Sequence, residues 1–158
     1  QDAAEKLGIA AIRYFDMKQN RTSNYVFNYD KMLDPKGNSA VFLFYAYARI
    51  RAIQRKSEVE PEKLPVSELR VEHPAERELA LKLLQFPDTI EAILEDLHLH
   101  RLTEYLWELC NVLTGFYTNC KVLCDGPERN SRLVLCEATR AVLSKSFDLL
   151  GFKPLERI

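Results

Sequence analysis

No apolar run approaches the roughly 18 residues a helix needs to cross a bilayer, so nothing in this chain is expected to span a membrane. No charged segment followed by an apolar one opens it either, which gives no sign of a secretory signal. Net charge is nearly absent: 22 basic residues stand against 23 acidic ones, a formal charge of −1. A general nucleic-acid coat needs a large excess of Lys and Arg, so that class is excluded while a local basic site stays open. The signatures of phosphate cradles and activated nucleophiles are missing, with no Walker A, GxGxxG, GxSxG or HExxH. No catalytic residue is expected within these residues.

Cysteine is sparse, with four residues at 110, 120, 124 and 136 and no CxxC. Cys120 and Cys124, one helical turn apart, are the pair best spaced for ligands, but no histidine lies near them in sequence. Small buried hydrophobes in a reducing compartment are the expectation, with no metal site. His98 and His100 are two apart and so should point to different sides of a helix, a poor arrangement for one ion. His73 precedes Pro74 and marks a helix start rather than a base. Asn20-Arg21-Thr22 matches a glycosylation triplet, a pattern common by chance.

What is present is one domain's worth of chain, 158 residues with 47% hydrophobic content. It begins with Gln1 inside a helical pattern, so a piece of something longer is expected. Residues 37–56, GNSAVFLFYAYARIRAIQRK, organise the rest. Asn38 or Ser39 can cap a helix there, and neither Pro nor Gly interrupts the run from Ala40 to Lys56. Leu43, Ala46, Ile50 and Ile53 form a core-facing seam. Phe42, Tyr45 and Arg49 form a second stripe, two rings and a guanidinium on which unpaired bases could stack and a phosphate or base edge be held. Aromatic stripes at helical spacing are more often core, and Arg49, Arg51, Arg55 and Lys56 also answer the helix dipole.

Around that stretch the pattern is helical. Residues 2–17 carry Leu7, Ala11, Tyr14 and Phe15 inward. Tyr25, Phe27 and Tyr29 alternate, which predicts a short strand or extended segment. Pro35 and Gly37 make a tight turn in which Gly37 can adopt the left-handed conformation. Residues 57–72 read as a charged linker. A helix from Pro74 should stop at Pro87, and Asp88 with Glu91 resembles a capping box opening another through Leu97. Leu102, Leu106, Leu109, Leu113, Phe116, Cys120 and Leu123 form the longest seam, interrupted by Gly115, which suggests close approach of a neighbour or ligand. Tyr117 lies off that seam, beside Thr114 and Lys121. Asn130 or Ser131 should cap a last helix that Gly151 ends. The fold class is all-α, a helical bundle with a short extended segment near the N-terminus.

Three segments carry a resemblance. IRYFDMKQNRTSNYVFNYDKML with GNSAVFLFYAYARIRAI, then FPDTIEAILEDLHLHRLTEYLWELCNVLTGFYTNC, then LCEATRAVLSKSFDLLGFKPLERI are similar to the C-terminal part of arginyl-tRNA synthetase. The likeness is strongest to the eukaryotic cytosolic form. It implies a class I synthetase anticodon-binding helical bundle, the DALR domain, over 34–158, with 1–33 closing the catalytic or linking region. The family's HIGH and KMSKS signatures are absent, so the implied role is that of a non-catalytic fragment of an arginine-tRNA ligase. ATP and Mg belong to the parent enzyme, and no cofactor is expected in the fragment.

The same resemblance implies the partners tRNA(Arg) and the enzyme's catalytic domain, a cytoplasmic location, and a site. Tyr45 and Arg49 match anticodon-contacting positions of the family, and Tyr117 matches a second anticodon-facing tyrosine. Phe42 stands where a tyrosine is common, and Ile158 where the family ends in methionine. The loop of Asp34 to Ser39, with Gly37 and Asn38, matches the loop that meets the anticodon arm. The runner-up is a protein-interaction module docking other synthetases, which an exposed Leu or Trp107 patch would favour.

Overall fold

In the computed structural model, which describes residues 2–65, 67 and 69–155, seven α-helices pack around one main core, with no strand among the described residues. They are α1 (Asp2–Met17), α2 (Tyr29–Leu33), α3 (Ala40–Ser57), α4 (Pro74–Leu84), α5 (Phe86–Asp96), α6 (His100–Asn119) and α7 (Glu128–Leu149). A 3-10 turn at Pro61–Lys63 interrupts the charged linker.

Helix α3 lies at the centre, against α1, α6 and α7. Ser39, not Asn38, caps it: the backbone there is extended and Oγ accepts from the Phe42 amide at 3.3 Å. Leu43, Ala46 and Ile50 are buried as their spacing requires, while Ile53 is only half-buried. Phe44 and Tyr47 are buried too, because α7 packs on a further side of α3 and brings Phe147 to 5.2 Å and 5.7 Å of their rings. A helix covered on two sides buries more than one stripe.

Helix α6 carries the expected seam from Leu102 through Phe116, all buried. It stops at Asn119, and Cys120 is already extended, so the 3.6-residue period lapses there. Val122 is consequently buried and Leu123 only half so. Cys120 and Cys124 therefore do not share a helical turn. Gly115 is not crowded by any neighbour; nothing lies within 4 Å of where its Cβ would be.

Other boundaries moved for identifiable reasons. His73 does start α4, as half of a capping box: its Nδ1 accepts from the Ala75 amide, and Glu76 accepts from the His73 amide. Pro87 does not stop that helix but sits in the first turn of α5, where its missing N–H is harmless, so Asp88 is not a cap. Helix α7 starts at Glu128, ahead of Asn130 and Ser131; Ser131 is instead buried and accepts from the Arg70 amide at 2.9 Å. Gly151 ends α7 at φ +70°.

Near the N-terminus Asn28 is extended, but Tyr29 opens the one-turn α2 rather than continuing a strand, since the Asn28 side chain caps it by accepting from the Lys31 amide. Helix α1 buries Ala10 and Tyr14 in the main core. Its Ala11 and Phe15 form a second, small cluster with Met32.

Candidate nucleic-acid interface

The site is built from the 34–39 loop, the first three turns of α3 and the second half of α6. The loop is anchored at both flanks. Asp34 accepts from the Lys36 amide at 2.8 Å, and the Ser39 hydroxyl donates to the Asp34 carbonyl. Asn38 lies against α1: its carbonyl accepts from Lys18 Nζ at 2.8 Å, and its side chain meets the Tyr14 hydroxyl at 2.6 Å. Gly37 does not adopt the left-handed conformation expected of it. The glycine is explained instead by Asp34, whose carboxylate would stand 2.7 Å from a Cβ.

The stripe on α3 divides. Phe42 is half-buried, its ring 4.8 Å from that of Trp107 on α6. Tyr45 is 49% exposed, a ring without a core role. Arg49, also exposed, holds its guanidinium carbon 4.7 Å from the ring centroid of Tyr117. Tyr117 is half-buried, and its hydroxyl lies 3.2 Å from Thr114 Oγ1. These side chains line one groove of about 460 Å³, together with Pro35, Lys36 and Ala46.

Phe42, Tyr45, Arg49 and Tyr117 are thus brought together from two helices. Gly37 and Asn38 are not among the groove's lining residues; they hold the loop whose Pro35 and Lys36 are. Ile158 lies outside the described residues. Lys36 and Thr114 were missed as lining residues. Lys36 was legible as the one cation of the 34–39 loop, and Thr114 as the residue one turn before Tyr117.

An exposed ring, a guanidinium over a second ring and a lysine at the rim suit a stacked base with its phosphate. Arg51 is committed elsewhere, donating to Gln54 at 3.0 Å. Trp107 is half-buried rather than an exposed patch.

The remaining candidates lie apart. Cys110, Cys120 and Cys136 are buried, and burial pushes the Cys136 thiol up to about 12. The rings of His98 and His100 do not diverge. Leu97 is left-handed and α6 begins only at His100, so the two rings come to 5.2 Å of each other, tilted by 38°. His98 Nδ1 faces the Asp96 carboxylate at 3.2 Å, and Arg101 holds that carboxyl down at about 2. Among the described residues no three His, Cys, Asp or Glu side chains group to hold a metal ion, and no helix is long and apolar enough to cross a membrane.

Residues 43–158 match the DALR anticodon binding domain. Over 98–99% of its length the chain is similar to curated arginine–tRNA ligases. It is 44% identical to that of Nostoc punctiforme, 41% to the cytoplasmic one of Xenopus tropicalis and 46% to the chloroplastic/mitochondrial one of Arabidopsis thaliana. It spans 27%, 25% and 24% of those proteins respectively, about a quarter of the length of each. Bacterial, cytoplasmic and organellar relatives are therefore similar to nearly the same degree, which does not single out the eukaryotic cytosolic form. Among solved structures, the arginyl-tRNA synthetase of Plasmodium falciparum superposes with a TM-score of 0.92 at 41% identity, covering 99% of this chain and 28% of that one. The Thermus thermophilus enzyme gives 0.89 at 27% identity, covering 99% and 27%.

Proposed function

This chain belongs to the DALR anticodon binding domain family, and from that premise we propose that it holds the anticodon loop of tRNA(Arg) for a longer arginine–tRNA ligase. The observation that carries the reading is the groove itself. Tyr45 is a large ring left half in water on the first turns of a helix whose neighbouring Val41, Leu43, Phe44, Ala46 and Tyr47 are buried. Beside it Arg49 and Tyr117 are already in contact across α3 and α6.

An aromatic face takes any base by stacking, at about 1–3 kcal/mol per base, while the cations at Lys36 and Arg49 offset the phosphate charge. The pieces are arranged before the ligand arrives, which limits the ordering cost of binding. In this reading the chain supplies tRNA binding and the chemistry is done elsewhere. In the same reading ATP and Mg belong to the rest of the longer protein.

Residues 1–33 are, in the same reading, the end of the catalytic or linking region. Tyr25 and Phe27 pack edge-on against Phe15 of the small cluster of Ala11, Phe15 and Met32, Tyr29 packs on Phe27, and Ile12 and Val26 are exposed besides, which makes this an apolar surface for a neighbouring domain to cover. We also infer a cytosolic enzyme of the eukaryotic type, a reading supported by the cytoplasmic vertebrate relatives.

Binding of arginine tRNA with normal or substituted anticodon bases tests the function. Specific loss on substitution is expected. Equal, weak binding of every variant would instead favour a helical interaction module.

A further inference from the structure

Thr114 and Tyr117 occupy successive turns of α6 and meet in the groove, with their hydroxyl oxygens 3.2 Å apart. Each has one proton to give. The Thr114 hydroxyl is 2.8 Å from the Cys110 carbonyl, a group that can only accept, so its proton is committed to that shorter contact. The Tyr117 hydroxyl must then donate to Thr114 Oγ1. Its own proton is pinned, and its oxygen faces any further ligand as an acceptor. Arg49 lies over the ring face, and both hydroxyl-bearing side chains line the groove.

We propose that Thr114 is a positioning residue that fixes the hydrogen-bond sense of Tyr117, so that the groove favours a base edge bearing an amino group over one bearing a carbonyl. The proposal rests on the anticodon reading above. Cytosine N4 and uracil O4 occupy the same place on otherwise similar rings and differ in this sense. An amino group donates to Tyr117 Oη. A carbonyl there would put two acceptors face to face, with the Tyr117 proton turned toward Thr114. Stacking on Tyr45 cannot make this distinction, because every base has a π-face. Thr114 therefore supplies selectivity to a site whose affinity comes from its rings and cations.

The test uses the full-length protein and arginine tRNA transcripts carrying C or U at each anticodon position in turn, with Kd as the readout. The wild type should prefer C at one position. Thr114→Val keeps the side-chain shape but frees the Tyr117 proton to rotate toward a carbonyl. It should cut the C-over-U ratio at that position by roughly three- to tenfold, while Thr114→Ser retains the preference. Tyr117→Phe, which removes the hydroxyl altogether, should lose the same preference and serves if Thr114→Val folds poorly. An unchanged ratio in folded Thr114→Val or Tyr117→Phe overturns the proposal. So does a wild type that shows no C-over-U preference at any position, although Tyr45→Ala weakens binding. If Tyr45→Ala leaves every affinity unchanged, the anticodon reading fails, and this proposal with it.

Discussion

The guanidinium of Arg49 stands over the ring of Tyr117, its carbon 4.7 Å from the centroid, and so links α3 to α6 along the groove. A planar, weakly hydrated cation suits that position, because it can stack on the ring while presenting its N–H fork to a phosphate or base edge. Arg49→Lys keeps the charge and loses both the plane and the fork. The variant should fold normally and bind arginine tRNA about three- to tenfold more weakly, as read by titration at fixed salt. Unaltered affinity would mean that charge alone matters there.

Core and site should separate under denaturation. Leu109 and Leu113 are fully buried on the α6 seam, so Leu109→Ala and Leu113→Ala should each destabilise by about 2–5 kcal/mol. Tyr117 is half-buried and rests against Arg49 and Thr114 at the groove. Tyr117→Ala should lower stability by roughly 1 kcal/mol, far less than the leucines. Equal losses at Tyr117 and Leu113 would make Tyr117 a core residue.

The acid limb of stability should report Glu76. This carboxylate is buried, a position that alone would raise its pKa. The Arg132 guanidinium at 2.7 Å and the amides of His73 and Glu72 outweigh burial and hold it below its ordinary value of 4.5. A carboxyl with a depressed folded pKa stabilises above its unfolded pKa, and that contribution is lost as pH falls through the folded one. Stability should therefore fall as pH drops below about 4.5, and Glu76→Gln should flatten that dependence. Glu76→Ala, which removes the acceptor of the His73 and Glu72 amides while Arg132 keeps Glu128 and the Lys121 carbonyl, should cost about 1–3 kcal/mol at neutral pH. An equally steep acid limb in Glu76→Gln would assign it to other groups.

The N-terminal aromatic face makes a fourth prediction. Val26 is 89% exposed, so Val26→Glu should change the stability of this chain by no more than about 0.5 kcal/mol. In the full-length protein the same change would bury a charge where the proposed neighbouring domain docks, and should lower its Tm. A full-length Tm unaffected by Val26→Glu would leave that face without a partner.

Much of this was legible in the sequence, and the misses have physical causes. The seams on α3 and α6 follow from spacing, and the off-seam positions of Tyr45, Arg49 and Tyr117 pointed to the groove. Spacing within one helix could not show that α3 and α6 bring Arg49 over Tyr117, since that depends on packing between distant segments. Phe44 and Tyr47 were missed because a one-sided pattern does not anticipate a second packed neighbour. Helix ends failed at Pro87 and at Asn130 or Ser131, whereas the end at Leu97 was legible to within a residue. What spacing could not show there is that Leu97 is left-handed although it is not glycine, while Gly37, which is, needs no left-handed φ. Lys36 was legible as the one cation of its loop, but the turn residues around it drew the reading to Gly37 and Asn38 instead.

The central claim is that the α3–α6 groove holds the anticodon loop, and Tyr45 tests it most directly because it is exposed and does not pack in the core. The measurement is the affinity of the full-length protein, wild type and Tyr45→Ala, for arginine tRNA with its normal anticodon and with a substituted middle base. Tenfold or weaker binding of the normal tRNA, at unchanged Tm and with reduced discrimination between the two, is the expected result. A folded Tyr45→Ala protein that binds as tightly as wild type and still rejects the substituted base would contradict the account.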